Sequence, residues 1–284
     1  MWQLIAVSFL WAFSFGLIKR YLPGIDSAFI AAARLGLALL VFLPFLRFRG
    51  LTPRLGFTLA AIGAVQFGVM YLAYIEAFRY LQAYEAALFT ITTPILVTLL
   101  ADLWEGQLRT RALLAALIAV AGAAFVVVKS SELKLTLAGL ILVQVSNAAF
   151  ATGQIAYKRL RTAYPQMNDK QVFGLLYAGA FAVALAAFLR RDVTLDLHAP
   201  QLWTLAYLGI VASGLGFFLW NVGATRASAG TLAVMNNAKV PLGVAVSLLV
   251  FGEQADLPAL TASLALMIFA VWLAERPEKS ATSR

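Results

Sequence analysis

Cysteine is absent from this 284-residue sequence, and histidine occurs once, as His198. Structural disulfides are thereby excluded, and a Cys/His zinc centre has no ligand set. Charge is scarce as well: 12% of residues are charged, against about 25% in soluble domains. What fills the chain instead is apolar, 62% of residues, with a mean hydropathy of +0.85. That balance specifies a polytopic membrane protein. The net charge of +9 would suit a nucleic-acid partner if it were gathered on a face. It is scattered singly and in pairs between apolar runs, so no nucleic acid is expected, and loops beside a lipid bilayer account for it better. The first apolar run, Trp2 to Ile18, follows the initiator directly without a basic n-region or small-residue cleavage site, and reads as a retained span.

A bilayer core takes about 20 apolar residues per helix. Breaks at charge, Pro and Gly divide the chain into ten expected spans, near 2–18, 26–46, 56–78, 84–103, 111–128, 135–157, 170–189, 201–224, 230–250 and 257–274. Counted by alternate sides, the face holding the N-terminus receives 13 Lys and Arg and the opposite face 7. The excess of basic residues on cytoplasmic loops predicts both termini inside, in a bacterial inner membrane. The fold class expected is all-α, a multi-pass bundle.

The chain also matches itself. At an offset of 147, Pro94 meets Pro241, Ala77 meets Ala224 and Arg79 meets Arg226; Glu105 pairs with Glu253 after a one-residue slip. At an offset of 139, Lys19-Arg20 meet Lys158-Arg159. The collinear order predicts duplication of a five-helix unit: residues 1–130, residues 131–276 and a cytoplasmic tail, 277–284. Five being odd, the second copy enters the membrane inverted, the construction of many secondary transporters. Two such halves can exchange conformations, opening a central site to each side in turn.

These features carry a resemblance. Ten spans, the repeat, the paired segments "ITTPILVTLLADLWEGQ" and "KVPLGVAVSLLVFGEQ", and Arg34 in the second span are similar to the drug/metabolite transporter superfamily, EamA type, across nearly the whole chain. The resemblance implies a secondary transporter, and length and aromatic content are similar to those of its aromatic and neutral amino-acid exporters. It implies export of amino acids or other small metabolites. Lys239 departs from the family pattern, which often has an apolar or small residue there.

Proline inside a helix leaves the carbonyl four residues earlier without its partner. For Pro94 that is Thr90 and for Pro241 it is Asn237, and polar groups gather at both: Thr90, Thr92 and Thr93, then Asn236, Asn237 and Lys239. Paired proline-interrupted spans point to a transporter's binding site; the alternative is that these groups satisfy freed carbonyls and bridge helices. Lys239 either pairs with a substrate carboxylate, or pairs with a protein carboxylate or sits neutral. Gln144, Asn147 and Gln154 share one stripe of the sixth span. Trp11, Gln66, Tyr74 and Trp220, with Tyr71, Phe217 and Ser213 nearby, complete a candidate substrate site. Arg34 is expected in an internal ion pair with Glu76 or Glu85, or as a gate. No acid stands at mid-membrane in any span, so a carboxylate proton relay is unsupported.

Other functions fit less well. "ASG", Ala212 to Gly214, echoes the serine motif of rhomboid proteases, but the sole histidine lies in a loop before that span, so no enzyme is expected. No cofactor or metal is called for. Efflux of lipophilic cations in the small multidrug manner relies on a glutamate in the first span, which holds no acid. Efflux of nucleosides or carboxylates, and import of the same substrates, stay open. Ala115, Ala119 and Ala123 offer a close-packing stripe, internal or at a dimer contact, so both monomer and dimer remain possible.

Overall fold

The computed structural model describes residues 2–48, 50–104, 106, 114, 117–118, 121–122, 133–226 and 229–275. Every regular element among them is helical. In chain order these are α1 (Trp2–Tyr21), α2 (Ser27–Phe42), α3 (Pro53–Gly63), α4 (Met70–Ala77), α5 (Ala83–Phe89), α6 (Thr93–Trp104), α7 (Leu133–Ala163), α8 (Asp169–Phe188), α9 (Ala199–Ala206), α10 (Gly216–Arg226), α11 (Ala229–Leu249) and α12 (Leu257–Glu275). Among the described residues, seven helical stretches are long and apolar enough to cross a membrane. Most of the expected fifth span, with Ala115, Ala119 and Ala123, lies outside the described residues, as do Glu105 and the tail. The same holds for the side chains of Asn236, Asn237 and Lys239, although the backbone of α11 runs through them.

Local chemistry sets the helix ends. Pro23-Gly24 stops α1, Gly24 taking a left-handed φ of 81° that suits a residue without a Cβ. Asp26 then starts α2, its carboxylate accepting from the Phe29 amide at 2.9 Å. Thr52 caps α3 in the same way at 3.2 Å, with Pro53 in the first turn where a missing N–H is harmless.

The bundle is inverted relative to a water-soluble one. Phe57, Trp203 and Leu249 expose three quarters or more of their surface, as lipid allows, while Arg34, Gln66, Asn147 and Asn221 are all buried. With no hydrophobic drive between helices in lipid, close approach has to come from small residues. Where α3 crosses α8, a Cβ on Gly63 would stand 1.9 Å from the Leu176 carbonyl oxygen, and one on Gly179 would stand 1.9 Å from that of Ala60.

Two of the crossing stretches contain π-helical turns among the described residues. A π-helical segment, Ala64–Val69, joins α3 to α4, and another, Tyr207–Leu215, joins α9 to α10. At an offset of 147 the two segments overlap, and Gln66 meets Ser213. A π turn widens the helix and leaves carbonyls for other donors, and such turns frequent functional sites. Here Trp11 Nε1 donates to the Ala212 carbonyl at 2.9 Å, and the Tyr177 hydroxyl lies 2.8 Å from the carbonyls of both Ser213 and Gly214.

Candidate functional site: a cavity at a buried arginine

A third irregularity falls in the fourth span. Thr90–Thr92 forms a short 3-10 turn between α5 and α6. Its cause is Pro94: the Thr90 carbonyl loses the amide donor four residues on, and accepts instead from the Thr93 amide and, at 2.7 Å, from the Thr93 hydroxyl. The Phe89 carbonyl, also turned out, accepts from Asn147 Nδ2 at 3.0 Å and Gln144 Nε2 at 3.3 Å. Asn147 Nδ2 reaches Thr92 Oγ1 as well, at 3.0 Å, and Thr92 Oγ1 lies 2.7 Å from Gln144 Oε1. The polar stripe of α7 is therefore docked on the helix break of the fourth span. Much of the hydrogen bonding expected for substrate is spent within the protein.

Beside this knot lies a cavity of about 70 Å³. Trp11, Phe150 and Phe217 form an aromatic wall, with Trp11 centroids 6.4 Å from Phe150 and 5.0 Å from Phe217. Ser14, Thr90, Thr93, Ser146 and Asn147 supply polar atoms to its lining. Phe15, Met70, Tyr71 and Tyr74 close another side, and Arg34 reaches in from α2. Of the expected residues, Trp11, Tyr74, Thr90, Thr93, Asn147 and Arg34 thus meet on one cavity.

Arg34 differs from expectation. Neither Glu76 nor Glu85 is its partner. Glu76 accepts from Arg79 Nη1 at 2.8 Å and from the Ser27 hydroxyl at 2.5 Å, while Glu85 accepts from the Gln82 amide at 2.9 Å in a capping box at the start of α5. Both acids serve the turns at the end of the bundle, Glu76 at the start of α2 and Glu85 at the start of α5. The guanidinium is held by neutral groups instead. Its Nη2 donates to the Tyr71 hydroxyl at 2.6 Å and its Nε to Ser213 Oγ at 3.2 Å, and its carbon lies 4.2 Å from the centre of the Tyr71 ring. Nη1 has no hydrogen-bond partner. Among the described residues no Asp or Glu lines the cavity.

Other expected contacts stand apart from it. Trp220 is fully buried behind Trp11, their centroids 5.0 Å apart. Gln66 donates to Asn221 Oδ1 at 3.2 Å, and Gln154 is buried on α7 a turn beyond Phe150. Thr92 is used in the knot. Ser14, Phe15 and Ser146 escaped sequence reading, since nothing in an apolar helix marks one serine or phenylalanine as cavity-facing. Tyr71 was expected near the site from its place beside Gln66 and Tyr74; its bond to Arg34 was not.

A cation stripped of water and given only neutral partners, beside aromatic surfaces and hydroxyls, suits a small organic anion with an apolar ring. Comparison with known proteins gives the family. The sequence matches the EamA-like transporter family over residues 1–128 and 137–276. It is 43% identical over 277 residues to a probable biotin transporter of Pseudomonas aeruginosa, covering 96% of each chain. It is 41% identical over 291 residues to the biotin transporter of Escherichia coli K12, covering 99% of this chain and 96% of that one, and 41% identical over 274 residues to the biotin transporter of Salmonella typhimurium. A crystal structure with 19% sequence identity superposes with a TM-score of 0.66, covering 96% of this chain and 94% of the other, and shares the fold. The chain belongs to the EamA-like transporter family, a transporter of small metabolites in the membrane.

Proposed function

We propose that this protein carries biotin, or a ring-bearing carboxylate of similar shape, across the bacterial inner membrane by alternating access between two inverted five-helix halves of a ten-span bundle, both termini cytoplasmic. The observation that carries the reading is Arg34: a buried guanidinium with an unpartnered Nη1 and, among the described residues, no carboxylate lining the cavity beside it. An anionic ligand supplies the missing charge. Biotin has a carboxylate on a flexible chain for Arg34, and a fused ring system for Trp11, Phe150 and Phe217. The names of the relatives support the same choice. The cavity of about 70 Å³ is below the roughly 300–1,000 Å³ of small-molecule sites, so binding has to widen it. Asn236, Asn237 and Lys239 stand on α11, which packs against α1 and α5. They are proposed to complete the site from that side, with Lys239 as a second cation.

An amino acid, the substrate class expected from the resemblance, ranks second. It shares the carboxylate, but its ammonium group needs acceptors, and the cavity offers hydroxyls and no acid among the described residues. Uptake and counterflow in proteoliposomes with labelled biotin, phenylalanine and leucine decide between them and give the direction, export or import. Transport of the amino acids without biotin would overturn the ranking.

A further inference from the structure

The cavity sits where the two halves meet. Trp11 and Phe150 correspond at offset 139, Met70 and Phe217 correspond at offset 147, and all four line it. Other lining residues have no such counterpart in the lining. Ser14 and Phe15 correspond to Gly153 and Gln154, Tyr71 and Tyr74 to Phe218 and Asn221, and Ser213, which holds Arg34, corresponds to Gln66. The equivalent end of the bundle therefore carries three amides in place of Phe15, Tyr74 and Ser213.

Those amides are deeply buried: Gln66 is 0%, Asn221 1% and Gln154 3% exposed. Gln66 Nε2 donates to Asn221 Oδ1, and Asn221 Nδ2 donates to the Phe217 carbonyl at 3.0 Å. Gln66 Oε1 and both polar atoms of Gln154 are left without a partner. Native proteins pair nearly all such atoms, and a lipid surround offers no water to compensate. The backbone is also drawn in at this place, since a Cβ on Gly153 would come within 2.2 Å of Gln66 Cβ. Orphaned amides in a membrane interior, at the counterpart of a ligand cavity, need a use elsewhere in the working cycle.

We infer that Gln66, Gln154 and Asn221 form the hydrogen-bonding wall of the cavity in the opposite-facing conformation, where they select a neutral urea or amide group such as the ureido ring of biotin. In an inverted repeat the halves exchange conformations, so residues packed shut at one end become lining when that end opens. A primary amide presents both a donor and an acceptor, the complement of a cyclic urea's C=O and N–H. Arg34 then reads the carboxylate and the amides read the ring. The ligand assignment rests on the biotin reading; the opening of this end does not.

Two measurements test it. Gln154→Leu removes the unpartnered amide at similar size, and is assayed for labelled biotin transport in proteoliposomes and for thermal unfolding. The expected result is a KM for biotin raised about ten-fold, equivalent to about 1.4 kcal/mol, with kcat little changed and the unfolding temperature equal to or above wild type. An unchanged KM, or a raised KM accompanied by a lower unfolding temperature, overturns the inference by assigning Gln154 no role or a structural one. Because the natural chain lacks cysteine, Gln154→Cys carries the only thiol. Labelling by a small neutral methanethiosulfonate during transport, slowed by biotin, is expected; absence of labelling in vesicles active for biotin overturns the opening. If wild type carries no biotin, the biotin reading falls, while labelling of Gln154→Cys still decides whether this end opens.

Discussion

Tyr71 meets Arg34 twice, its hydroxyl accepting from Nη2 at 2.6 Å and its ring lying 4.2 Å from the guanidinium carbon. The hydroxyl also stands 2.8 Å from Ser213 Oγ, which accepts from Arg34 Nε, so α2, α4 and the Tyr207–Leu215 segment are tied at one cation. Neutral dipoles fix the guanidinium without cancelling its charge. On the proposed reading, that charge is met by the ligand.

Arg34→Gln is therefore expected to lower kcat/KM for biotin by roughly 30-fold or more, the scale of removing one member of a buried charge pair. Arg34→Lys should recover only part, because an ammonium lacks the planar fork. Lys239→Gln is expected to cost less than Arg34→Gln. Vesicle uptake with the three variants checks the order, and full activity in Arg34→Gln would remove the anion site.

Tyr71→Phe keeps the ring and deletes the hydroxyl shared by Arg34 and Ser213. Leaving a buried charged donor short of one acceptor should destabilise by about 1–3 kcal/mol. A lower unfolding temperature and a KM raised several-fold are expected together, and biotin should restore part of the lost thermal stability.

Asn147 and Gln144 both hold the Phe89 carbonyl, but only Asn147 lines the cavity. Each leucine variant should loosen the helix break, by roughly 0.6 kcal/mol per lost contact between membrane helices. Gln144→Leu should then lower stability with KM unchanged. Asn147→Leu should lower stability and raise KM, and equal KM effects from the two would contradict the placement of Asn147.

At the crossing of α3 and α8, Gly179→Ala puts a methyl 1.9 Å from the Ala60 carbonyl oxygen, and backbone cannot yield as a side chain can. The variant should lose monodisperse protein in detergent. Gly56→Ala, whose nearest neighbour would be Leu175 Cδ1 at 3.9 Å, is the matched control and should behave as wild type.

Much of the cavity's lining was legible in the residues. Pro94 with Thr90 and Thr93 announced the helix break, because a missing amide and its replacement hydroxyl are local chemistry. Trp11, Asn147 and Tyr74 followed from polar and aromatic residues at mid-membrane depth. Arg34 was visible as a buried cation, yet its expected acids, Glu76 and Glu85, are engaged with Arg79, Ser27 and the Gln82 amide. Depth along a span can be counted in a sequence, but which face of which neighbour meets it cannot. The π-helical segments had no signature either: the one at Tyr207–Leu215 is held by Trp11 and Tyr177, which reach Ala212, Ser213 and Gly214 from distant parts of the chain.

The sequence by itself determined the solvent, since a chain of 62% apolar residues with so few charges has to satisfy its backbone internally as helices in lipid. It also determined where helices end and where proline breaks one, because caps, turns and missing amides act within a few residues. Only the tertiary structure decided what surrounds Arg34 and which amides of Gln66, Gln154 and Asn221 are left unpartnered. Those outcomes depend on contacts between helices far apart in the chain, where an ångström of approach at Gly63, Gly153 or Gly179 settles which side chains meet.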